Sequence, residues 1–118
     1  MRYGIVGLAL AMMALSGCGE SHEEKMARTC GSPEDAHQES KRAVRDHLKS
    51  PSTAEFPSSL MDKGVDFKKV DDCTTKIYSY VDAQNAYGAI TRSVYSVEMH
   101  YNRDKESWGY ADLNIFQR

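Results

Sequence analysis

The sequence predicts an α+β domain in which one N-terminal helix packs on a three- to four-stranded antiparallel meander. Three observations carry that prediction. Apolar residues recur at helical spacing in only one stretch of the folded part, residues 36–48. From Cys73 onward, apolar and polar residues alternate with period two. Polar turn sequences at 85–88 and 102–107 divide the alternating part into consecutive strands. A chain of 118 residues with net charge −2 holds one small domain and no basic patch, which argues against nucleic acid as a partner.

The helix has a clear start. Ser32 suits the cap, Pro33 the first helical position, and Glu34 and Asp35 the positive end of the dipole. Asp35, three residues after Ser32, fits a capping box with Asp in place of Glu. Ala36, Ala43, Val44, His47 and Leu48 form a narrow stripe of mostly small residues that lets the helix lie close to a sheet, and Ser50-Pro51 stops it. His47 reads as a helix-end histidine facing the negative dipole rather than a catalytic base. Pro51 and Pro57 stiffen the next connection, and Phe56 is its one large apolar side chain, a plug for the end of the core.

Val65-Asp66-Phe67 predicts a short edge strand, followed by strands at 73–84, 89–101 and 108–116. With Cys73 facing the helix, period two sends Ile77 and Val81 inward and Tyr78 and Tyr80 outward. On the next strand Tyr95, Val97 and Met99 face the core, leaving Arg92, Val94, Ser96, Glu98 and His100 outside. On the last, Leu113 and Ile115 go in, while Trp108, Tyr110, Asp112 and Asn114 go out. The predicted outer face thus gathers Tyr78, Tyr80, Arg92, Trp108 and Tyr110, residue types enriched at binding hot spots. The plainer roles are cross-strand support for the rings and pairing of Arg92 with Asp82 across the hairpin.

The N-terminus carries a different kind of signal. Arg2 precedes an apolar or small run over residues 5–15, the length of an export-signal core and short of the roughly 20 residues that span a bilayer. Leu15-Ser16-Gly17-Cys18 then resembles the lipobox of bacterial lipoproteins. That resemblance implies diacylglycerol on the Cys18 thiol, cleavage before it, and an acylated new N-terminus. Cysteine suits the role because its thiolate is a strong nucleophile, and two or three acyl chains anchor durably where one is marginal. The expected divisions are a signal peptide at 1–17, the lipidated cysteine with a flexible tether at 18–29, and the α+β domain at 30–118. The tether, charged and without turn chemistry, would span about 18 Å root-mean-square. Within it, His22 with Glu23 and Glu24 reads as solvated spacer rather than a metal site.

Cleavage leaves 101 residues with net charge −3 and two free cysteines, Cys30 and Cys73, in a compartment that supports disulfides. A metal pair and a reactive thiol are the alternatives. Neither cysteine has a CxxC partner or a histidine at ligand spacing, so a Cys30–Cys73 disulfide is expected.

Two further stretches carry a second resemblance: LKSPSTAEFP at 48–57 and YVDAQNAYGAITRSVY at 80–95. They are similar to segments of small exported bacterial and phage-encoded proteins that share LKSPSTAxFP after a helix and a VDAQNxxGAxxR hairpin. The resemblance covers residues 36–97 and implies a fold and a compartment, with no catalytic chemistry. Independently, no GxSxG, HExxH or phosphate-loop pattern is present. The 82–93 stretch fails as a calcium loop because Tyr87 stands at the required glycine and Ser93 at the bidentate glutamate.

The expected role is therefore noncatalytic and without cofactor or metal. It is an envelope lipoprotein held on the membrane through Cys18, acting as a protein-interaction module toward an envelope protein. The alternative is an inhibitor or exclusion factor of phage or mobile-element origin. Gly19 rather than Asp after the cysteine, by resemblance to the enteric sorting rule, places it on the outer membrane facing the periplasm.

Overall fold

The computed structural model describes residues 21–117, so the signal peptide at 1–17 and the Cys18 lipidation site lie outside the described residues. Two helices, α1 (His22–Gly31) and α2 (Pro33–Arg45), precede a 3-10 turn (Pro51–Thr53) and strands β1 (Asp66–Asp71), β2 (Thr74–Gln84), β3 (Ile90–Asn102) and β4 (Ser107–Gln117). The strands form one open sheet in chain order, every neighbouring pair antiparallel. The α+β class and the four-stranded meander match the sequence reading. The number of helices does not.

The extra helix occupies the stretch expected to be a flexible tether. Ser21 and Glu24 close a capping box: the Ser21 hydroxyl accepts the Glu24 N–H at 3.2 Å, and the Glu24 carboxylate accepts the Ser21 N–H at 3.4 Å. Glu23 and Glu24 sit in the first turn and Arg28 in the last, each favourable to the dipole. Ten residues make a marginal helix in isolation, so tertiary attachments decide. Cys30 is buried and disulfide-bonded to Cys73, with Cα atoms 4.6 Å apart. The Lys69 ammonium donates to the Gly31 carbonyl at 3.2 Å, satisfying the helix's open end. His22 lies 2.6 Å from the Glu106 carboxylate.

Helix α2 starts as its residues require: the Ser32 hydroxyl accepts the Asp35 N–H at 3.2 Å, and Pro33 opens the first turn. It buries Ala36, His37, Ser40, Ala43 and Val44 against the sheet. Past its end, the His47 Nδ1–H donates to the Ala43 carbonyl at 2.9 Å, the helix-end role expected. The chain then pairs with β2 through Glu55 and Asp82, whose N–H groups donate to each other's carbonyls at 2.8 and 2.9 Å. Phe56 is half-buried, edge-on to Tyr95 at 6.4 Å and covered by the Arg45 guanidinium at 5.0 Å. It plugs the core end.

The core lies between α2 and the inner sheet face, where Ala36 and Val44 meet Ile77, Val81, Tyr95, Val97 and Met99. All five sheet residues were expected to face inward, and they do. Closing the 43-residue separation between Cys30 and Cys73 removes unfolded-state freedom worth about 4 kcal/mol in the chain-entropy argument. The double variant Cys30→Ala/Cys73→Ala should lose stability of that order in urea titration, and α1 should lose amide protection first. An unchanged denaturation midpoint would show that the staple contributes nothing.

Candidate interaction surface

The outer face of the sheet is where the sequence reading places its candidate binding residues, and strand parity decides which of them arrive there. Tyr78 stands opposite Ser96, Tyr80 opposite Val94, and Asp82 opposite Arg92. Tyr78, Tyr80 and Arg92 therefore share the face away from α2, as expected.

Trp108 and Tyr110 do not join them. In the β3–β4 ladder, Ser96 pairs with Asn114 and Glu98 with Ala111, so Asp112 and Leu113 together oppose Val97. That is a β-bulge with one extra residue in β4, and Asp112 takes the left-handed conformation at φ 50°. A single added residue reverses which face later side chains occupy. Leu113 and Ile115 pack toward the core beyond the bulge, and Trp108, opposite Tyr101, and Tyr110, opposite Met99, face the helices before it. The Trp108 ring lies 5.3 Å from Tyr101, and Tyr110 meets His47 edge-on at 6.1 Å. The expectation that Trp108 and Tyr110 point outward is corrected by this bulge.

What the outer face does carry is an aromatic and charged cluster. The Arg92 guanidinium lies 4.0 Å from the Tyr80 ring centroid and grips Asp82 with both ends, at 2.8 and 2.9 Å. The guanidinium beside Asp82 holds its carboxyl below the ordinary carboxylate value. The cross-hairpin pairing and ring stacking thus both occur. Gly64 (φ 90°) passes so close to Tyr80 that a Cβ there would stand 3.1 Å from the ring, so glycine is needed for conformation and space. Beside this cluster, Tyr78, Val94, Ser96 and Phe116 line a shallow apolar depression of about 390 Å³ with Gly64. Phe116 is 60 % exposed and Tyr78 39 %. Phe116 belongs to the surface although sequence reasoning did not name it; the alternation that turns Leu113 and Ile115 inward sets it outside, opposite Val94. His100, at the far end of the same face, pairs through Nδ1 with the Thr74 hydroxyl at 2.8 Å.

A second constellation lies beneath the sheet, also missed in the sequence. His37 is fully buried between α2 and β2, with Nε2 3.3 Å from the Ser79 hydroxyl. The Ser40 hydroxyl donates to the His37 carbonyl at 2.6 Å and lies 3.0 Å from the Tyr95 hydroxyl. Residues 37, 40 and 44 share helical spacing, so the pattern was present, but two polar residues did not register as a core stripe. Burial pushes the Tyr95 phenol above its ordinary value, against the opposing bonds from Ser40 and Ser79. Among the described residues no group of three or more His, Cys, Asp or Glu side chains is arranged to hold a metal ion.

Because Asp112 sets the phase of β4, and Leu113 and Ile115 are held in the core, deleting it should turn over the side chains of the half before it, Ser107–Ala111. The single tryptophan, Trp108, reports the outcome. Its emission should shift to the red as the ring leaves Tyr101 for solvent, or the protein should fail to fold. A folded deletion variant with unchanged emission would show that the bulge does not set the phase. No family model, curated protein or solved structure compared with this chain matches it.

Proposed function

We propose that the protein is a membrane-anchored envelope lipoprotein and acts as a noncatalytic interaction module that docks a protein partner on the outer face of its sheet. The observation that carries the reading is the uncovered cluster of Tyr78, Val94 and Phe116 beside the Arg92–Asp82–Tyr80 group. Aromatic and arginine side chains already fixed by stacking and ion pairing bury area with little further loss of freedom, which is the chemistry of interface hot spots. The anchor rests on Leu15-Ser16-Gly17-Cys18 and the apolar run before it, and Gly19 after the cysteine favours the outer membrane facing the periplasm.

The two parts are tested separately. Cys18→Ser should abolish incorporation of labelled palmitate and leave an unprocessed chain; label retained in that variant removes the anchor from the reading. A photo-crosslinking residue at Ser96 should give a discrete adduct in cells, lost when Tyr78 and Phe116 are both alanine. An adduct that persists in the folded, disulfide-bonded double variant places the partner elsewhere.

A further inference from the structure

We propose that His37 is a pH latch: a neutral imidazole holds α2 on the sheet, and its protonation releases α2 while the Cys30–Cys73 disulfide keeps the α1 end attached. The inference does not depend on the lipid anchor or on the docking face. Its first support is the composition of the α2 interface. Of the residues α2 buries, Ala36, Ser40 and Ala43 are small, leaving Val44 and His37 as the only sizeable side chains. His37 is among the largest fully buried side chains of the protein, so the hold of α2 on the sheet depends heavily on this one ring.

The second support is the hydrogen-bond arrangement around it. The Ser40 proton goes to the His37 carbonyl, so the Tyr95 hydroxyl donates to the Ser40 oxygen. Ser79 meets Nε2, and Nδ1 is buried with no protein partner. A neutral ring leaves one nitrogen empty there, which is tolerable as an unshared lone pair. An imidazolium would carry a second N–H with no acceptor and an unpaired buried charge, which is far more costly.

The surrounding charges do not rescue it. On α2 itself, the Lys41 ammonium opposes protonation and the Glu34 carboxylate favours it. From the 58–65 connection, Asp62 also favours it, but its carboxylate already accepts the Ser58 and Ser59 N–H groups at 2.9 and 3.2 Å. The sheet contributes Ser79 and the un-ionised Tyr95 phenol. No carboxylate among the described residues bonds to the ring. Burial first and Lys41 second therefore press His37 below its ordinary 6.5.

The sign follows. Above about pH 6.5 both folded and unfolded chains carry a neutral ring, and the latch is closed at full strength. Below that value the unfolded or released form takes up a proton that the packed form refuses. Each further pH unit then favours release by up to tenfold, until the packed ring itself titrates.

The test is hydrogen exchange on the disulfide-intact protein, corrected for intrinsic rates, together with ¹⁵N detection of the His37 ring. Between about pH 7 and about pH 5, protection of the Ala43 and Val44 amides should fall by up to tenfold per unit. Protection of Ile77 and Val97 should fall less, and His37→Gln should remove the α2 dependence. A folded wild-type ring that titrates at or above 6.5 overturns the proposal, and needs no variant to fold. So does a glutamine variant with the wild-type pH slope, or uniform loss of protection across helix and sheet.

Discussion

The two largest attachments of the helix layer to the sheet are the Cys30–Cys73 disulfide and the packed face of α2. The covalent one governs the other. Cys30 sits at the end of α1, two residues before the Ser32 cap of α2, so the bond to Cys73 places the first turn of α2 beside the start of β2. From that fixed corner α2 lies close against the strands through Ala36, Ser40, Ala43 and Val44, with the buried His37 ring as its largest contact. The same bond explains why a ten-residue charged helix persists next to it. A domain this small buries a limited core, and a staple where two helices and a sheet meet offsets that deficit.

With one face covered, the sheet's behaviour at its other surfaces follows from strand phase. β1 is short, charged at Asp66, Lys68, Lys69 and Asp71, and bulged after Lys69, all features that discourage a further strand from pairing. β4 is longer and carries one charge, yet the Asp112 bulge interrupts its edge. The bulge thus turns Trp108 and Tyr110 to the helix side of the sheet, where Trp108 packs on the core and Tyr110 stays half exposed, and it also breaks up a pairing template. On the outer face, Tyr78 and Phe116 stand uncovered beside the Arg92–Asp82–Tyr80 group.

How much of this was legible depended on whether a local pattern sufficed. The α2 cap, the strands, the hairpin turn and the inward set of β2 and β3 were readable, because each rests on adjacent residues with a clear period. The disulfide was readable because few cysteines leave few choices. Helix α1 was missed although Ser21 and Glu24 have capping-box spacing, because its stability comes from Cys73, Lys69 and Glu106, all distant in sequence. Trp108 and Tyr110 were misplaced because a bulge depends on the partner strand's register, and nothing in the alternating stretch 108–116 announces it. His37 was overlooked because a polar residue at core spacing declares itself only once Ser79 and Tyr95 are seen opposite.

The presence of α1 also changes what the proposed anchor implies. A tether running from Cys18 to residue 29 would let the domain roam. With the helix starting at His22, three residues lie between Cys18 and the helix, so an anchor on Cys18 would sit at most about 14 Å from it. On the proposed anchoring, the end of the domain nearest the membrane would be the end of β3, since His22 meets Glu106 and Arg103 lies 3.5 Å from the Cys30 sulfur. Val94 lies eight residues back along β3 from Asn102, and Phe116 pairs with it, so the apolar depression stands about 27 Å from that end. That separation is close to the thickness of a bilayer's hydrocarbon core. Under the proposed reading, a partner docked there would meet the domain well along the sheet rather than at its tethered edge.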